Sequence, residues 1–186
     1  MKFLLFIILT NTISSVVMSQ SYLPLESGNE WHMEFAGIFN KSGAAYSIIK
    51  VLEEKVEVNG LEYFQVQSTS FSNSEIADGF SITTYARLDT EGNIYGYEPK
   101  TSNKETLMYP GVAKIGTTWN SAQGNMKVVA LDDTLKTPKK AYTNCLVVEV
   151  ENQGMIMRSY AKKGIGLVGM EMNGQLMMFL DDYELK

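Results

Sequence analysis

One cysteine and one histidine serve a chain of 186 residues, and their scarcity removes more chemistry than any motif adds. A single Cys cannot form an internal disulfide, so stability must come from burial. With one of each, neither a Cys/His zinc site nor a His-rich catalytic metal site can be assembled. A Ser-His-Asp triad would have to use His32, which stands beside Trp31 in a strand-like run, and no Gly-x-Ser-x-Gly elbow exists to partner it. Tryptophan is nearly as rare, with only Trp31 and Trp119. The apolar run Phe3 to Leu9 falls well short of the ~20 residues a membrane-spanning helix needs. Clustered cations are missing as well. Lys136-Thr-Pro-Lys-Lys140 and Lys162-Lys163 are short and sit in turn-like contexts, so they read as solvated loops and not as a nucleic-acid surface.

The first residues carry the pattern of a secretory signal. Lys2 supplies a positive start, Phe3 to Leu9 the apolar region, and Val17 and Ser19 the small residues at −3 and −1 of a cleavage after Ser19. A lipoprotein signal would need Cys beside that point, and none is there. Residues 1–19 are therefore expected to be removed, leaving 167 of the 186 residues as a single exported β-domain, 20–186, periplasmic or extracellular and without a transmembrane segment. Loss of Lys2 moves the formal charge from −5 to −6, a mildly acidic balance that suits solubility.

The remainder reads as strands joined by tight turns. Val56 to Val66 alternates around Asn59-Gly60, a pair suited to the positive φ values of a type I′ turn, and Met170 to Met178 repeats the device around Asn173-Gly174. Asp89 to Asn93, Gln123 to Asn125 and Asn152 to Gly154 mark further reversals. Ala44 to Val58 fits a helical stripe through Ile48, Leu52 and Val56, but its β-branched content and its run into the hairpin favour a strand. Asp132 to Lys140, with Pro138 inside it, reads as an exposed loop. In Tyr142 to Val150 the residues Leu146, Val148 and Val150 share one strand face, and Cys145 falls on the other with Val147 and Glu149 as a small, mostly buried thiol. Connections of hairpin length exclude a parallel sheet. Glycines within strands and at their ends, such as Gly96, Gly166 and Gly169, suit bends. The expected class is all-β: a single antiparallel, strongly curved sheet, half-barrel or barrel-like.

The chain also echoes itself. Tyr22-Leu-Pro-Leu-Glu-Ser-Gly-Asn-Glu-Trp31 is answered by Met108-Tyr-Pro-Gly-Val-Ala-Lys-Ile-Gly-Thr-Thr-Trp119. Each Trp leads into a strand-like run, then a second apolar stretch (Leu61 to Val66; Cys145 to Val150) and a Tyr-Ala pair (Tyr85-Ala86; Tyr160-Ala161). Two pseudo-repeats, about 22–105 and 107–186, account for that order. The opening segment, together with Tyr142-Thr-Asn-Cys-Leu-Val-Val-Glu-Val150 and Tyr160-Ala-Lys-Lys-Gly-Ile-Gly-Leu-Val168, resembles a diffuse group of exported bacterial β-domains. These begin with Tyr/Phe-x-Pro-Leu-x-x-Gly-x-x-Trp and close on Tyr-Ala-x-Gly-Val-Gly-Leu-Val; here Lys163 is inserted before Gly164. The resemblance implies an envelope protein comparable at fold level with half-barrel carriers of lipid-modified cargo, and it brings no catalytic residues.

Candidate functional residues are few. Gly164-x-Gly166 lies between strands, where a dinucleotide site would need a helix. Acids such as Glu34, Glu62, Glu98 and Glu149 could face inward as a glycosidase-type pair, though nothing singles out two of them. Methionines crowd the last third: Met155 and Met157, Met170 and Met172, Met177 and Met178, the first two pairs each projecting to one strand face. They can pack as plain core, line a pliable apolar cavity with Trp31 and Trp119, or present thioethers to a soft ion such as Cu(I). The reading taken is a non-enzymatic exported β-domain acting by binding or as a structural element, with no cofactor or metal assigned. Its partner would be an apolar small molecule or an envelope protein. Two alternatives stand beside it: a carrier of a lipid or other apolar ligand using Met155, Met157, Met170, Met172, Met177, Trp31 and Trp119, and a carbohydrate-active hydrolase with paired carboxylates.

Overall fold

Three two-residue turns set the local plan. Asn59-Gly60 (φ +52° and +75°), Gln153-Gly154 (+51° and +79°) and Asn173-Gly174 (+50° and +74°) all take the left-handed conformation of type I′ turns. That twist matches the right-handed twist of strands, so each turn returns the chain directly alongside itself. In the computed structural model, which describes residues 21–40, 45–71, 80–98, 104–121 and 123–186, the outcome is twelve strands. The expected signal, residues 1–19, lies outside the described residues.

The strands are β1 (Glu30–Phe35), β2 (Tyr46–Val58), β3 (Leu61–Phe71), β4 (Phe80–Leu88), β5 (Ile94–Tyr97), β6 (Thr106–Tyr109), β7 (Thr118–Ser121), β8 (Gly124–Lys136), β9 (Ala141–Asn152), β10 (Met155–Lys162), β11 (Gly166–Met172) and β12 (Gln175–Glu184). They form one antiparallel sheet in the order β6-β5-β4-β3-β2-β1-β12-β11-β10-β9-β8-β7. Consecutive strands are thus paired everywhere except between β6 and β7, and the β1–β12 pairing joins the two halves of the chain, with Trp31 opposite Tyr183 and Phe35 opposite Met178. The sheet nearly closes into a barrel. Its one seam falls between β6 and β7, which approach without a backbone ladder. Of the ambiguous segment, Ala44 lies outside the described residues, and Tyr46–Val58 forms strand β2, as its β-branched residues favour.

The internal echo falls on matching strands of the two halves. Trp31 and Trp119 are the second residues of β1 and β7, and the Tyr-Ala pairs occupy the sixth and seventh positions of β4 and β10.

One expectation is corrected. Asp132 to Lys140 is not a loop: β8 runs to Lys136, and only Thr137 to Lys140 turns, closed by the Thr137 amide donating to the Lys140 carbonyl at 2.9 Å. The β8–β9 register shifts three times between Val128 and Leu135, and such bulges bend and twist a strand while it stays paired. The bent hairpin folds over the outer face of the barrel. There Lys139 binds Glu34 and Asp181, and the Tyr142 hydroxyl donates to the Leu180 carbonyl at 2.9 Å. Gly169 leaves room for this second layer, since a Cβ there would overlap Leu135 and lie 2.9 Å from the Met178 carbonyl oxygen. Cys145 is fully buried under the same fold-over.

The segment preceding β1 closes one end of the barrel. Ser21 accepts from the Gly164 amide, Tyr22 meets the Tyr109 ring at 6.3 Å, and Gly28 donates to Val51, which ties the segment to β6, β2 and the β10–β11 turn around the ring. Leu25 and Asn29 of this segment and Trp31 of β1 are buried. Asn29 is satisfied, donating to the Pro24 carbonyl and accepting from the Lys186 amide.

Candidate functional site

Strand alternation separates two faces of the second half. Met126, Val150 and Met157 stand opposite one another across β8, β9 and β10, as do Val128, Val148 and Ser159; this face points into the barrel. Lys127, Glu149, Arg158 and Glu171 occupy the intervening positions across four strands, and Arg158 binds Glu149 at 2.9 Å on the outer surface. An apolar inner row and a charged outer row follow from the two-residue period alone.

The inner face is not filled throughout. A cavity of about 350 Å³, partly open to solvent, lies across the seam. Its first wall comes from β4, β5 and β6 through Thr84, Gly96, Thr106, Met108 and Tyr109. Met126, Val148, Val150, Met157, Ser159 and Met170 on β8 to β11 form the second. Glu98, Lys104, Ser121 and Gln123 lie toward the strand ends on either side of the seam. Gly96 leaves room for the Met108 side chain, since a Cβ there would come within 2.8 Å of its sulfur. Deeper in, burial raises the Tyr109 phenol above its ordinary range, against a smaller opposing pull from the nearby Ser159 hydroxyl, which donates to the Val148 carbonyl at 3.4 Å. With Thr84 and Thr106, these two hydroxyls give the walls a few polar points among apolar side chains.

The residues expected to line a concavity divide. Met157 and Met170 are in the wall. Met172 is directly opposite Met157 on the inner face but just outside the lining. Met177 packs against the core, and Met155 is 46% exposed at the β9–β10 turn. Trp31 is buried at the closed end, where its Nε1–H donates to the Ile165 carbonyl. Trp119 belongs to the seam itself: its Nε1–H donates to the Leu107 carbonyl on β6 at 2.8 Å and so bridges two strands that share no backbone ladder. Met108 and Met126, which the clustering of methionines in the last third did not point to, also reach the cavity. Met126 was accessible from its alternation with Val128, whereas Met108 depended on closure of the barrel.

The four acids singled out do not converge. Glu34, Glu62 and Glu149 each hold a cation (Lys139, Lys55 and Arg158) on the surface, and Glu98 alone reaches the cavity. His32 is on the outer face, bonded to Glu30 at 2.7 Å. That bond, with Lys50 nearby, holds the Glu30 carboxyl below its usual range. The Cys145 thiol is pushed up by burial, so the nucleophilic thiolate is disfavoured.

A second cluster lies on the outer face of β3 to β6. Arg87 grips Glu105 with two nitrogens at 2.5 and 2.7 Å, the Tyr63 hydroxyl donates to the same carboxylate at 2.7 Å, and the guanidinium lies over the Tyr63 and Tyr95 rings. With its donors so engaged, Arg87 fastens the segment leading into β6 onto the sheet. This role is structural and holds one lip of the seam in place.

Compared with known proteins, the chain matches no family model, and neither a curated relative nor a solved structure shows detectable similarity to it.

Proposed function

We propose that this protein is an exported, non-enzymatic binder that carries a small apolar molecule inside its barrel. The observation that carries the reading is the methionine-lined cavity of about 350 Å³, within the range of roughly 300–1,000 Å³ typical of small-molecule sites. Methionine adapts to irregular apolar shapes because it is unbranched and has three rotatable bonds. The hydroxyls of Thr84, Thr106, Tyr109 and Ser159 in the walls are hydrogen-bonding groups of the kind that orient a ligand in such pockets. The separation of Glu34, Glu62 and Glu149 on the outer face gives no support to the hydrolase alternative. Export rests on the signal pattern of residues 1–19, and the resemblance to exported β-domains points the same way.

The test is titration with an apolar naphthylamine fluorophore. The native protein should show saturable binding. Met157→Trp, which puts an indole into the cavity, should abolish it while far-UV circular dichroism stays unchanged. Val112→Ser, at a 74% exposed site in the β6–β7 connection, should bind as the native protein does. Absence of saturable binding, or equal binding by Met157→Trp, overturns the proposal.

A further inference from the structure

The ladder registers group thioethers more tightly than the cavity lining alone conveys. Met157 on β10 is directly opposite Met172 on β11, and Met170 on β11 is directly opposite Met178 on β12. Met170 and Met172 are two residues apart on one strand, so all four side chains share the inner face in adjoining rows. Directly opposed residues have Cβ atoms about 4.5–5.5 Å apart and diagonal neighbours about 7–8 Å. A methionine sulfur lies two bonds beyond Cβ on a flexible stem, so the sulfurs of Met157, Met170 and Met172 can turn toward one point, with Met178 approaching from the next strand opposite Met170. Met157 and Met170 reach the cavity, which gives that point a route to solvent.

We infer that Met157, Met170, Met172 and Met178 form a binding site for a soft monovalent metal ion, Cu(I). Thioethers are neutral, polarisable donors that favour Cu(I) over harder ions. A single positive charge also costs less to bring into apolar surroundings than a divalent one. Among the described residues no group of three or more His, Cys, Asp or Glu is placed to hold a metal, so borderline and hard divalent ions find no comparable donor set. The site shares a wall with the proposed ligand cavity but does not depend on an apolar ligand. It differs in what it needs from the four residues: sulfur, where the carrier needs only apolar bulk.

That difference supplies the test. Changing all four methionines to leucine roughly conserves volume and apolarity while deleting every donor. Anaerobic competition with the chromogenic chelator bicinchoninate should show the native chain withdrawing Cu(I) from the chelator and the four-leucine variant failing to do so. In the native chain labelled at methionine methyl groups, Ag(I), a redox-inert stand-in for Cu(I), should shift the resonances of these four residues and leave Met155 in place. Cys145→Ala should bind as the native protein does, since that thiol is buried on the opposite face. The inference is overturned if the native chain takes no Cu(I), if the leucine variant binds equally well, or if Cys145→Ala abolishes binding. The carrier reading fails separately, through an absence of fluorophore binding in both the native and the four-leucine forms.

Discussion

Replacing each tryptophan in turn by alanine should separate two residues that the sequence presents as equivalents. Trp31 is 2% exposed, and its indole nitrogen lies 3.2 Å from where a Cβ of Gly166 would stand, so the surroundings are already close-packed. Truncating a large aromatic in such a place costs about 3–5 kcal/mol, including the residual cavity. The Ile165 carbonyl also loses its indole donor. Trp119 is only partly buried, and its bond to Leu107 lies at a seam that water can reach. Its loss removes a hydrogen bond of net worth about 1 kcal/mol and roughly half the burial energy of a large apolar side chain, together about 2 kcal/mol. For a domain of this size 1 kcal/mol moves Tm by about 2–4 °C, so Trp31→Ala should fall by about 6–20 °C and Trp119→Ala by about 4–8 °C. Thermal unfolding followed by far-UV circular dichroism measures both shifts, and urea unfolding the two free energies. Because the chain has two Trp, each variant keeps one indole whose fluorescence reports on the other half. Equal losses at the two positions, or a loss near zero at Trp31, would refute the assignment of one indole to the core and the other to the seam.

Alkaline pH should unfold the protein through its tyrosines. Burial raises Tyr22, Tyr63, Tyr109, Tyr142 and Tyr160 above the ordinary phenol range, so the fold keeps protons that the unfolded chain releases above about pH 10. Stability is then fully present below that pH and declines as pH rises beyond it. Phenolate absorbance should show these five of the ten tyrosines titrating only as the circular dichroism collapses, and reversible titration of all ten in the native state would contradict this. Two glycines should respond in opposite ways to alanine. Gly169→Ala meets Leu135 and a backbone oxygen and should lower stability by about 1–3 kcal/mol. Gly96→Ala meets the mobile Met108 thioether and should leave the urea midpoint nearly unchanged while weakening fluorophore binding. Equal destabilisation at the two sites would count against the outer layer at Gly169.

The sequence alone determined what depends on near neighbours along the chain. Asn59-Gly60 and Asn173-Gly174 are turns because those residues tolerate positive φ, and the strands they join alternate as their inner and outer faces require. Cys145 sits on the outer face with Val147 for the same reason, and the two Trp and the two Tyr-Ala pairs fall at the same positions of β1 and β7 and of β4 and β10. Asp132 to Lys136, inside the expected loop Asp132 to Lys140, has the polarity of an exposed, bulged strand, and polarity does not distinguish the two. Only the tertiary structure decided where the sheet closes. The β1–β12 pairing and the gap between β6 and β7 depend on twist accumulated over twelve strands and on register shifts that no short window contains. The cavity is a consequence of that closure. Thr106, Met108 and Tyr109 meet Met157, Ser159 and Met170 only because the two free edges of one sheet come together. Trp31 and Trp119 diverge for the same reason: the duplicated motif places one indole under the segment that closes the barrel end and the other at the seam.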